Sequence, residues 1–203
     1  DKCGQFAPYG APDIKRVNIQ FLCRTNYAVS YDNNVKVPAY VLEHVTKAAI
    51  TGPTKRKDSF RPDPEVAAPA TLADYASAGS VYDRGHLSPA GDNTQTDKIM
   101  YESFLLSNMM PQAFNNNRGI WKQLETKVRD YVLKTGDVYV ASGTIYDAGF
   151  KKIGNGVGVP TRIFKVVIDT KNNKASAYIF PNTALPVADM EKYKVTIADV
   201  EKA

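Results

Sequence analysis

Strand-forming stretches in this sequence come in pairs joined by turn signals, and that pairing confines the chain to antiparallel sheet architectures. Residues 25–31 (TNYAVSY) alternate like a strand, Asp32-Asn33-Asn34 signals a turn, and residues 35–45 follow as a second strand. Residues 162–169 and 174–180 repeat the arrangement around a turn at 170–173. Pro38 lies inside the second strand and has no backbone N–H, which implies an edge position or a bulge. Residues 137–142 alternate as a further strand, and the apolar run 104–109 predicts a short buried one.

Helices are interleaved with these strands. The clearest covers residues 117–135, where Ile120, Trp121, Leu124, Val128, Tyr131 and Val132 recur at helical spacing between charges. Asn117 suits its N-cap and Gly136 its C′ position. Residues 71–79 and 94–103 predict shorter helices. Residues 51–70 hold four prolines and many charges and read as a long surface loop. Residues 154–158 (GNGVG) lack the strand-then-helix context of a dinucleotide loop and read as a flexible surface loop. The expected fold class is α+β, a central antiparallel sheet flanked by helices. A length of 203 residues suits one domain spanning residues 1–203, with 1–24 as an N-terminal arm.

Composition narrows the function classes. Hydrophobic residues at 43% and charged residues at 23% argue against disorder and coiled coil. No stretch approaches the ~18 apolar residues of a membrane helix, so no membrane partner is expected. The net charge of +5 suits a polyanionic partner, but the densest basic run is only Lys55-Arg56-Lys57, so the fold itself must assemble any phosphate contacts. Two cysteines, Cys3 and Cys23, are either free buried thiols or a disulfide that pins the arm; the disulfide is the expectation. It implies an oxidising compartment, and a chain beginning at Asp1 reads as a mature form with its leader removed, secreted or periplasmic.

Only two histidines occur, His44 and His86, which excludes a three-histidine zinc site. A catalytic metal should therefore be hard and oxygen-bound, favouring Mg²⁺ with Mn²⁺ or Ca²⁺ as substitutes. His44 sits in a strand beside Glu43 and reads as structural. His86 lies in Tyr82-Asp83-Arg84-Gly85-His86-Leu87-Ser88-Pro89, which packs a neutral-pH base, an arginine suited to phosphate and a permissive glycine into one string. Taken alone, that string fits an ordinary loop with a salt bridge equally well. A second cluster holds Asn108 and Gln112 in residues 107–112, then Asn117, Arg118 and Glu125. Asn117 and Glu125 are a helix cap and a solvated charge on the plain reading, and oxygen donors to hydrated Mg²⁺ on the other. In a regular helix Glu125 would lie about 12 Å further along the axis than Asn117, which favours contact through a metal-bound water.

Residues 56–63 (RKDSFRPD), 82–89, 107–112 and 117–125, followed by Val159-Pro160-Thr161 and Phe164-Lys165-Val166-Val167, together resemble the DNA/RNA non-specific endonucleases of the ββα-metal type. The resemblance covers about residues 56–170. It implies His86 as general base and Asn117 as the one direct protein ligand of Mg²⁺, with Asp83 and Glu125 orienting its waters. It also implies Asn108 bonded near His86, Arg56 and Arg84 on the scissile phosphate, and Gln112 and Arg118 as weaker substrate contacts. DNA and RNA would be cut without regard to base sequence, leaving 5′-phosphates. The protein would be a monomer or homodimer and open to an inhibitor protein. Three other readings stay open here: a binding module without catalysis, a small-molecule phosphodiesterase or phosphatase, and a structural surface protein.

Overall fold

Local alternation and turn chemistry produce a sheet that wraps one long helix against its inner face. The structure, a computed structural model, describes residues 3–203; Asp1 and Lys2, the start of the expected arm, lie outside them. Strands β1 (Ile19–Cys23), β2 (Tyr27–Asp32) and β3 (Val37–Thr46) lead to α1 (Lys47–Ile50) and α2 (Leu72–Ala76). Next come β4 (Tyr82–His86), α3 (Asp97–Ser103), β5 (Met109–Ala113) and α4 (Phe114–Asn116), which passes through a widened turn at Asn117–Trp121 into α5 (Lys122–Thr135). β6 (Asp137–Ile145), β7 (Lys152–Ile153), β8 (Val157–Gly158), β9 (Arg162–Asp169), β10 (Lys174–Pro181), β11 (Lys194–Val195) and α6 (Ile197–Lys202) complete the chain.

Seven strands form one antiparallel sheet in the order β1-β2-β3-β6-β9-β10-β11, as the α+β expectation requires. Alternation sorts the two faces. Tyr27, Val29, Val41, Val45, Val138 and Val140 join Leu124, Val128 and Val132 of α5 in the main core. Ala28, Tyr40 and Leu42 point the other way and are covered by Cys3 and Phe6 of the arm. Cys3 and Cys23 form a disulfide with a Cα–Cα distance of 5.7 Å, which ties the arm to β1. β4 and β5 stand apart as a two-stranded ribbon, so that β4, β5 and the α4–α5 segment make a ββα unit on the sheet's flank.

Several local expectations need correction. The helical run begins at Phe114, not at Asn117, whose backbone is itself helical (φ −56°, ψ −48°). Asn117 donates its side-chain N–H to Asp83 across the ribbon instead of capping. Residues 104–109 form no strand except at Met109: the chain coils through a 3₁₀ turn at Leu106–Asn108 because the Asn108 side chain draws the backbone around itself. β1 was not evident from the sequence. Pro38 meets the bulge alternative, since the β2–β3 register shifts between Ser30 and Tyr31 and Tyr31 faces Pro38. Residues 154–158 turn the small β7–β8 hairpin and are pinned, Asn155 N–H donating to Asp74 at 2.7 Å.

Candidate active site

The ribbon register sets the site. His86 pairs with Met109 and Gly85 with Met110, and alternation places Arg84 and His86 on one side of β4. Gly85 is required by close packing: a Cβ there would lie 2.1 Å from Oε1 of Gln112, which folds across the strand. The chain leaving His86 is fixed by Asn108, which accepts a hydrogen bond from Ser88 N–H (2.9 Å) and donates to Ser88 O (2.8 Å) and Ser103 O (2.9 Å). On the other side, the Trp121 indole donates to His86 O at 3.3 Å.

His86 is 8% exposed and sits edge-on to Phe60 and Phe104, with ring centroids 5.7 and 4.9 Å away. Burial, and then the charges of Arg56 and Arg84, lower its pKa to about 3, so the imidazole is neutral at neutral pH. The same two rings carry the arginines. Arg84 stacks on Phe60 at 4.1 Å and Arg56 on Phe104 at 5.2 Å. Arg56 is paired with Asp58 at 2.7 Å, whereas Arg84 has no ion pair or side-chain hydrogen bond among the described residues. Arg84 is therefore the more available cation for an incoming anion.

Opposite His86, the widened turn presents Asn117. Turns of this kind, with an extra residue in the helical ladder, recur at functional sites. Asn117 Nδ2 donates to Asp83 at 2.9 Å, which leaves the carbonyl oxygen unengaged and fixes the amide orientation. Arg118 grips the same carboxylate through two bonds of 2.9 and 2.8 Å. Burial works to raise the Asp83 pKa, but the bonds from Arg118 and Asn117 outweigh it and hold the group below its ordinary value. Glu125, on the first turn of α5, is half-buried; burial raises its pKa to about 7 against the opposing charge of Lys165. These groups line one cleft of about 420 Å³, whose walls carry five cationic side chains and three carboxylates. No cluster of three His, Cys, Asp or Glu groups suited to a metal exists among the described residues, so any metal here must rest on few protein ligands.

Residues 9–203 match the model of the DNA/RNA non-specific endonuclease family. The chain belongs to that family. Nuclease EXOG, mitochondrial, of Homo sapiens is 34% identical over 199 residues, covering 89% of this chain and 54% of that protein. The chain thus spans about half the length of the EXOG proteins it matches. Nuclease C1 of Cunninghamella echinulata var. echinulata is 35% identical over 215 residues, covering 96% of this chain and 83% of that protein. EndoG, solved in a crystal structure of its complex with EndoGI, superposes with a TM-score of 0.89 at 29% identity, covering all of this chain and 89% of that one.

In this DNA/RNA non-specific endonuclease family member, Arg56, Asp83, Arg84, His86, Asn117, Arg118 and Glu125 converge on the cleft, as expected from the sequence. Asn108 bonds beside His86, at Ser88, as expected but from beneath the cleft, and Gln112 does not reach the cleft at all. Asn108 is wholly buried, with its side chain committed to backbone groups, so it positions the His86 loop and cannot touch substrate. Gln112 is wholly buried against Gly85 and donates to Asn116 at 2.9 Å, which rules out the expected substrate contact. His44 lies outside the cleft, bonded to Asp137 at 2.7 Å and stacked on Tyr139.

Sequence reasoning missed the layer beneath. Lys165 is 2% exposed, donates to Ser142 at 2.6 Å and lies 4.5 Å over the Trp121 ring. Register puts Lys165, Ser142 and, two residues beyond Val41, Glu43 on one sheet face. Glu43 accepts from Ser88 at 2.6 Å, and Arg129 reaches Asp92 at 3.0 Å. Burial, and then the Asp92 charge, push Glu43 well above the usual carboxylate range; burial raises Asp92 despite Arg129. The available signal was the spacing of Arg129, one turn after Glu125 on the same helix face.

Proposed function

We propose that this chain is a Mg²⁺-dependent endonuclease that hydrolyses phosphodiester bonds of DNA and RNA without base or sugar preference, leaving 5′-phosphates. The observation that carries the reading is one cleft holding a neutral, buried His86, an Asn117 carbonyl oriented by Asp83, and an Arg84 with no ion pair among the described residues. The donor set fits Mg²⁺: its groups are oxygens, and Asn117 would be the direct ligand, with Asp83 and Glu125 positioned to hold waters on the ion. Bound Mg²⁺ would supply Lewis-acid stabilisation of the charge that builds on the phosphate. Mn²⁺ would serve the same donors.

His86 accepts a proton from the attacking water as the water oxygen bonds to phosphorus; the bond from phosphorus to the 3′-oxygen breaks, and the departing 3′-oxygen takes a proton from solvent water to leave as a hydroxyl. Arg84, and Arg56 once released from Asp58, hold the non-bridging oxygens. A phosphate bound by these arginines offsets the charges that help depress the His86 pKa, raising its basicity when substrate is in place. No cleft residue is given a base edge to read, and contacts to phosphate carry little sequence information, which supports broad specificity. The Cys3–Cys23 disulfide supports a secreted or periplasmic setting, although the EXOG relatives are named mitochondrial. EndoG forms a complex with EndoGI, so a protein inhibitor belongs to the same reading.

Plasmid and RNA digestion by wild type and His86→Ala, each with Mg²⁺ and with EDTA, tests it. Cleavage should occur only in wild type with Mg²⁺. Cleavage surviving His86→Ala refutes the base, and a wild type that binds polymer without cutting it refutes the enzyme.

A further inference from the structure

Two further arginine–aromatic stacks lie next in the chain of contacts to residues that line the cleft. Beyond Arg84 on Phe60 and Arg56 on Phe104, Arg61 lies 3.0 Å from the Tyr101 ring centroid and Arg118 lies 5.5 Å from that of Phe114. The outer two rings face solvent, Tyr101 at 51% and Phe114 at 40% exposure. They stand at the two ends of one chain of contacts. Tyr101 meets Arg61, whose chain neighbour Phe60 touches His86 and Arg84; Asp83, beside Arg84, holds Arg118, which meets Phe114.

We propose that Tyr101 and Phe114 are nucleobase-stacking platforms for a single-stranded substrate, at opposite ends of the track on which His86 sits. The inference rests on the nuclease reading and adds the strand geometry that the site would take. The arginine against each ring is held in place. Arg61 is held by Ser59 O at 3.0 Å and Tyr101 O at 2.8 Å, and Arg118 by two bonds to Asp83. The backbone beneath Phe114 is anchored by Asn116, which donates to Pro181 O and Thr183 O at 3.0 Å each. Fixed cations alternating with rings that keep about half their surface exposed match the alternation of phosphates and unstacked bases along a single strand. A duplex keeps its bases stacked on one another and offers the rings none. Phe21, another exposed ring, lies on edge strand β1 and supplies a control.

The test measures the Kd of a short single-stranded oligodeoxynucleotide in EDTA, with 2-aminopurine placed along it as a stacking probe. Tyr101→Ala and Phe114→Ala should each raise Kd about tenfold and abolish the quenching of the base they hold. Tyr101→Trp and Phe114→Trp should bind like wild type, and Phe21→Ala should not alter Kd. Alanine variants with wild-type Kd and quenching, from a protein that still cuts DNA in Mg²⁺, overturn the platforms alone. An effect at one ring only overturns the two-ended arrangement. A wild type that neither binds the strand nor cuts it overturns the nuclease reading and the platforms together.

Discussion

Adding one methyl group at Gly85 tests whether the ribbon is as tightly specified as its packing implies. A Cβ at this position would lie 2.1 Å from Oε1, 2.7 Å from Cβ and 3.0 Å from Cδ of Gln112. Restoring ordinary contact requires a shift of more than about 1 Å. Gln112 has nowhere to go: it is wholly buried, and its N–H is tied to Asn116, which is tied to the backbone at Pro181 and Thr183. Overpacking costs about 1–3 kcal/mol. Losing the Gln112–Asn116 bond adds about 1 kcal/mol. For a chain of this size the sum should lower Tm by roughly 4–16 °C. Thermal and urea unfolding followed by circular dichroism measure it. The double variant Gly85→Ala/Gln112→Gly removes the clash, Cβ included, so its destabilisation should fall short of the sum of the singles by at least about 1 kcal/mol. Strict additivity, or a wild-type Tm for Gly85→Ala, refutes the claim that Gln112 is what forbids a side chain beside His86.

Two further predictions concern buried charge. His86 has its pKa lowered from 6.5 to about 3, chiefly by burial, so between those values the unfolded chain binds a proton that the folded protein refuses. In EDTA, stability should therefore rise with pH across that window, by up to about 5 kcal/mol, and His86→Leu should flatten the rise; an unchanged slope refutes the neutral buried imidazole. Lys165→Met leaves Glu43, Asp92 and Glu125 with the partly exposed Arg129 as their neighbour of opposite sign. Destabilisation by about 3–5 kcal/mol in urea is expected, with at least half recovered in Lys165→Met/Glu43→Gln; no loss in the single variant refutes the charge balance.

What the sequence made legible follows from the range of the interactions involved. Hairpins such as β9–β10 are local, and alternation with a turn signal suffices to find them. Within α5, apolar spacing located the buried face and Gly136 located the end, with φ +113°. The start of the helical run was misplaced because Asn117 is a good cap in isolation. Asp83, thirty-four residues earlier in sequence, competes for its side chain, and nothing local reports that bond. Residues 104–109 failed for the same reason: an apolar run predicts a strand until the amide of Asn108 is known to reach Ser88. β1 was missed because its exposed Phe21 breaks the expected inward–outward contrast.

The candidate site divides along the same line. Residues that face the cleft lie in short strings whose chemistry is visible residue by residue. Those that hold the strings in place are scattered over β3, β6 and β9 and read as ordinary sheet positions; Lys165 in an apolar strand resembles a solvated charge on an outward face. Its burial follows from register, since it stands opposite Ser142 on the face that α5 covers. A buried lysine is a poor stabiliser compared with an apolar side chain of similar size. Its presence near Trp121, the buried Glu43 and Asp92 and the half-buried Glu125 is therefore better understood through the cleft than through the core. The acidic wall that would hold metal-bound waters must stay charged in a half-buried place, and a cation on the far side opposes the burial that would neutralise it.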